Sequence, residues 1–144
     1  MAFAHAQLDG RPKVRAVPRM VVRSDRARQI AAELEAAWRA DDAGYPDAGY
    51  SLAAREHRLA AAWHLRLALR DGEEVTGQRG CDLALLADLL RRAGDFGGAL
   101  TAVEHGLECG RDHPVKALLH FQRRLARARD AGEHDLGEAF AMPS

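Results

Sequence analysis

The chain has 144 residues, 47% hydrophobic but only 6% aromatic, and its 21 basic and 21 acidic side chains cancel to a formal charge of zero. That length fits one domain with a modest core and excludes two ordinary ones. Two cysteines, Cys81 and Cys109, are too few for a disulfide-stapled framework. No uninterrupted apolar run marks a membrane span, and Met1 to Gly10 lacks the charged-then-apolar order of a leader, so a cytoplasmic location is expected.

Ala, Leu and Arg dominate over Val, Ile and Thr, a mixture that favours helix because β-branched side chains fit strands better. The same Ala and Arg richness suggests a bacterial genome of high GC content. The neutral total conceals an asymmetry. Residues 1–28 carry seven cations (Arg11, Lys13, Arg15, Arg19, Arg23, Arg26 and Arg28) against Asp9 and Asp25, a surplus of five that the remaining chain offsets. Residues 1–23 contain Gly10, Pro12 and Pro18 and no helical period, so they read as a flexible basic arm. Residues 24–144 read as a single all-helical domain.

Ser24 stands as an N-cap before Ala27, Ile30, Ala31, Leu34, Ala37 and Trp38, a stripe at steps of three and four that predicts a helix to about Ala40. The turn formers Asp41 to Gly49 end it. Ser51 caps a second helix to Arg70, with Leu52, Leu59, Trp63 and Leu67 as one stripe and Ala62, Leu65 and Leu69 widening it, which implies more than one neighbouring helix. Glu73 to Gly80 reads as a loop. A third helix covers Cys81 to Ala93, with Leu83, Leu86, Ala87 and Leu90 on one side. Gly94-Asp95-Phe96 makes a corner, and a fourth helix follows from Gly97 to Cys109. Pro114 suits the first turn of a fifth helix, which runs to about Asp130 and is stopped by Gly132. A short sixth is expected over 136–141.

The third and fourth helices carry a motif. Leu83, Leu86, Ala87 and Leu90, then Gly94-Asp95-Phe96, then Ala99, Val103, Gly106 and Leu107 form a ridge, a sharp turn and a set of small residues that let two helices meet closely. Over residues 80–113 this resembles the tetratricopeptide repeat. The family usually has aromatics where Leu90 and Val103 stand, and a proline where Arg111 stands. A degenerate partial repeat follows after 114, with Ala131-Gly132-Glu133 echoing Ala93-Gly94-Asp95. The resemblance implies an all-α array of antiparallel helical hairpins, about five or six helices in all. Tyr50 to Glu74 also resembles an uncharacterised bacterial family in which a metal ribbon precedes such helices. The ribbon's cysteine pairs are missing here, so its metal role does not carry over.

What the repeat resemblance implies for function is an adaptor that binds a protein or peptide. In that family the face matching Leu85, Asp88, Arg91 and Arg92 lines a groove, where the two arginines would receive a carboxylate. An array this short also admits a homo-oligomer. The alternatives come from other classes. The arm 11–28 could attract nucleic acid phosphates, although it lacks interleaved aromatics for stacking bases. A metal-binding protein is the other, since Cys81, His105, Cys109 and His113 lie toward one end of the hairpin as a Cys₂His₂ set. Their spacing matches no standard zinc pattern, so no metal or cofactor is assigned. H-E-x-x-H, G-x-S-x-G, Walker and dinucleotide patterns are all missing from the sequence, and no catalytic residue is assigned.

Overall fold

The computed structural model describes residues 24–43, 52–109, 113–134 and 136–141. Helix α1 spans Asp25–Ala43. Ser24 caps it, its Oγ accepting the Ala27 N–H at 3.1 Å and so satisfying a donor that a helix start leaves unpaired. Ala27, Ile30, Leu34 and Ala37 are buried, at the steps the sequence predicts. The helix continues past Ala40 because Asp41 is buried and held by Arg58 of the next helix. That buried pair outweighs the turn-forming tendency of the Asp41-Asp42 run.

Helix α2 spans Leu52–Arg70; its expected cap, Ser51, lies outside the described residues. The expected core stripe is corrected here. The buried face consists of Ala54, Arg58, Ala61, Ala62, Leu65, Ala68 and Leu69, whereas Leu52 and Trp63 are 63% and 61% exposed and Leu59 is 37% exposed. Small side chains at four of the inward positions bring α2 close to its neighbours, and the bulky stripe is left outside. At the helix end Gly72 takes φ +74°. The Gly72 and Glu73 N–H groups donate to Leu69 and Ala68 carbonyls at 3.2 and 2.8 Å, the paired bonds of a Schellman turn.

The loop after α2 is folded inward by Asp82. This fully buried carboxylate accepts the N–H groups of Val75 and Thr76, each at 2.8 Å, and Val75 thereby enters the core. Helix α3, Arg79–Arg92, starts two residues earlier than expected and is buried on most of its circumference through Leu83, Leu86, Ala87, Leu89 and Leu90. Each such leucine contributes about 1.5–3 kcal/mol by leaving water. Helix α4 spans Phe96–Cys109. Between them, Gly94 takes φ +87°, and its N–H and that of Asp95 donate to Arg91 and Leu90 carbonyls at 2.9 and 2.8 Å. Asp95 Oδ1 then accepts the Gly98 N–H at 2.8 Å, so two adjacent residues end one helix and cap the next.

At the α3/α4 contact, Leu86 and Val103 lie in one core cluster with Ala87 and Ala99. Gly106 is the tight point: a Cβ there would sit 2.6 Å from Leu119 Cδ2 and 3.3 Å from Leu83 Cβ. Helix α5, His113–Arg127, packs against both α3 and α4, and α6, Leu136–Ala141, packs on α5 around Phe121, Leu125 and Ala139. The stop of α5 differs from expectation. Arg129, at φ +55°, takes the left-handed position usually held by glycine, with Arg129 and Asp130 N–H groups donating to Ala126 and Leu125 carbonyls, each at 3.0 Å. The Gly94 corner therefore recurs at Arg129, nearly one helical turn before the Gly132 echo. The Arg129 guanidinium lies 5.2 Å from the centre of the Phe96 ring, a cation–π contact that joins the two corners.

The chain order is also the packing order: α1 on α2, α2 on α3, α3 on α4, α4 on α5 and α5 on α6, with α3 additionally meeting α5. Among the described residues there is no strand, and no helix is long and apolar enough to cross a membrane.

Candidate functional site

The four residues expected to line a groove on α3 divide into two kinds. Leu85 and Asp88 are half-buried. Arg91 and Arg92 are 1% and 8% exposed, which corrects the expectation that they face an open surface. The Arg91 guanidinium donates to Gln122 Oε1 at 2.8 Å, to the Asp130 and Gly132 carbonyls at 2.6 and 2.8 Å, and to Asp88 Oδ1 at 3.0 Å. Arg92 donates to the Ala131 carbonyl at 3.2 Å and reaches Asp41 at 3.5 Å. Asp41 is held on its other side by both terminal nitrogens of Arg58.

The physical reason lies in the turn after α5. Its carbonyls at 130, 131 and 132 point at α3 and, partly shielded from water, take donors from it. Two adjacent arginines supply them, joining α1, α2, α3 and the α5–α6 turn at one end of the array. Burial pushes the Arg92 pKa down, aided by the nearby Arg58 charge and opposed by Asp88, Asp41 and Glu133. Both guanidiniums are committed within the chain.

The remaining sequence candidates are dispersed. Arg11, Lys13, Arg15, Arg19 and Arg23 lie outside the described residues. Arg26 and Arg28 belong to α1, where Arg26 meets Asp71 at 2.8 Å and Glu73 at 3.6 Å, and Arg28 meets Asp25 at 3.4 Å. The Arg26 hydrogen bond, then that of Arg70, holds the Asp71 carboxyl below its usual value. Cys81 is half-buried beside Gln78, while Cys109 and His105 are exposed; the His113 side chain is not among those described. No group of three or more His, Cys, Asp or Glu able to hold a metal ion occurs among the described residues. His57, which shares a face with His64, pairs with Glu33 across the α1/α2 contact at 2.6 Å.

An open surface exists elsewhere. Helices α2 and α4 both pack on α3 and not on each other, which leaves a cleft of about 330 Å³ between them. Leu83 and Leu86 of α3 form the floor with Leu69 and Ala102; Arg66, Arg79, Gly98, Thr101 and His105 form the walls. The rim residues Arg66, Arg79, Thr101 and His105 are exposed. Arg79 donates to the Leu69 carbonyl at 3.2 Å, which fixes it beside the α2 end. Among the described residues, no acidic side chain is one of those lining the cleft. Gly98 stays small at its mouth, because a Cβ there would strike the Asp95 cap carboxylate at 2.5 Å.

The sequence reading missed this site because it assigned Leu83 and Leu86 to the ridge alone and His105 to a metal set. The available signal was the pairing of exposed Arg66 and Arg79 with an α4 face of small residues. In comparisons with known proteins, no family model, no curated protein and no solved structure matches the chain.

Proposed function

We propose that this protein is a tetratricopeptide-like adaptor of a bacterial cytoplasm that holds an acidic, aliphatic peptide segment of a partner protein in the α2/α4 cleft. The observation that carries the reading is the chemistry of that cleft. Its floor is aliphatic, its rim is cationic through Arg66 and Arg79, and among the described residues no carboxylate is one of the lining groups. Apolar side chains of a peptide would fill the floor, while its carboxylates would take charge-assisted hydrogen bonds from the rim. The glycine corner at Gly94, the close approach at Gly106 and the stacking of α5 on the α3/α4 hairpin support the repeat assignment. The partner-binding face then lies on α2 and α4 and not on the Leu85/Asp88 face of α3.

An array of immobilised peptides alternating Glu and Leu, with Lys/Leu and Glu/Ser arrays as controls, tests this. The full chain should be retained by the Glu/Leu set alone. Arg79→Glu should abolish retention, as should Thr101→Trp, which fills the cleft from its exposed rim. Retention that survives both substitutions, or that does not distinguish the three arrays, would remove the cleft from consideration.

A further inference from the structure

The exposed stripe on α2 has an order that the peptide cleft does not use. Leu52, Glu56, Leu59, Trp63, Arg66 and Arg70 follow one another at alternating steps of four and three, the spacing of a seam between two paired helices. The seam lies opposite the buried face of α2, which centres on Ala61, Leu65 and Ala68. Three large apolar side chains in one line, two of them more than 60% exposed, form a continuous patch of the kind that marks an interaction surface.

The charges on this stripe specify its occupant. In an antiparallel pair of α2 helices centred between Leu59 and Trp63, Leu59 of one copy faces Trp63 of the other. Glu56 then faces Arg66, and Leu52 lies against the stem of Arg70. A two-fold axis generates each of these contacts twice. Glu56 and Arg66 are both exposed, and neither has an ion-pair partner among the described residues. We infer that α2 is a self-pairing surface and that the protein forms a symmetric antiparallel dimer through Leu52, Glu56, Leu59, Trp63, Arg66 and Arg70. The same charges oppose the parallel arrangement, which would place Glu56 against Glu56 and Arg66 against Arg66. The inference does not rest on the peptide reading. Arg66 borders both surfaces, whereas Glu56 lies outside the cleft, so Glu56→Arg separates the two.

The test is sedimentation equilibrium on the full chain and three charge variants, with helical content followed by circular dichroism. The unaltered chain should be a dimer. Glu56→Arg and Arg66→Glu should each raise the dimer dissociation constant about tenfold or more by facing like charges across the seam. The double variant Glu56→Arg with Arg66→Glu should recover the dimer, because the reversed pairs again match. Helical content should stay the same throughout, since both side chains are exposed. A monomeric unaltered chain, including one whose stripe is covered by its own residues 1–23, would overturn the inference. So would single reversals that leave association unchanged, or a double reversal that fails to restore it.

Discussion

Two pairs of arginines at opposite ends of this molecule meet opposite fates. Arg91 and Arg92 close the C-terminal end of α3 and are buried; Arg66 and Arg79 flank its N-terminal end and are exposed on the rim of a cleft. Nothing in the residue type separates them. The difference comes from what the chain lays over each end. Above Arg91 and Arg92 lie the carbonyls of the α5–α6 turn and the Asp41 carboxylate, whereas Arg79 meets the Leu69 carbonyl alone among the described hydrogen bonds and the cleft opens beside it and Arg66. A charged side chain at a helix end becomes a joint or a binding group according to the unpaired acceptors that reach it.

The strongest break in that contrast is at the joint. Arg91→Ala removes four hydrogen bonds and leaves Asp88, Gln122 and two part-buried carbonyls short of a donor, so denaturant unfolding should show a loss of about 3 kcal/mol. On the rim, Arg66→Ala should change stability by less than about 0.5 kcal/mol. Equal losses at the two sites would dissolve the distinction. Gly106→Val comes next, because its branches would enter space held by Leu119 and Leu83, and thermal melting should report about 1–3 kcal/mol of destabilisation. Asp95→Ala follows. It removes the acceptor for the Gly98 N–H and should cost about 1 kcal/mol in the same melt.

The smallest effect is pH dependence at the joint's outer edge. Asp130 accepts the Gly132 N–H at 2.8 Å and pairs with His134 at 2.8 Å. The backbone hydrogen bond is the main influence, and it holds the Asp130 carboxyl below its usual value. A carboxyl depressed in the folded state stabilises that state above its unfolded pKa of about 3.9. The contribution disappears as pH falls through the folded value. Asp130→Asn should therefore lower stability slightly at neutral pH and flatten the acid limb of a stability–pH curve, the difference from the unaltered chain vanishing at low pH; an unchanged acid limb would remove Asp130 from the joint.

Much of the helical layout was legible in the sequence, and the reasons are local. The Ser24 cap, the Gly94-Asp95 corner and the small residues Ala87 and Ala99 each act within a few residues or on one neighbouring helix. What depended on a third element was not legible. The period of α2 is plain, but whether its bulky stripe or its alanine face turns inward depends on how closely α1 and α3 approach. Asp41 looked like a helix stop until Arg58 is placed beside it, and Gly132 looked like the stop of the fifth helix until Arg129 takes the left-handed position with Phe96 under its guanidinium. The cleft was least visible of all, because it is bounded by two helices that never touch.

The most direct test of the cleft as the binding site is amide chemical-shift mapping of the full chain with a soluble peptide alternating Glu and Leu. Shifts should concentrate at Arg66, Arg79, Thr101, Ala102 and His105, with Leu85, Asp88 and Gln122 unmoved. Shifts centred on Leu85 and Asp88, with the cleft silent, would contradict that assignment.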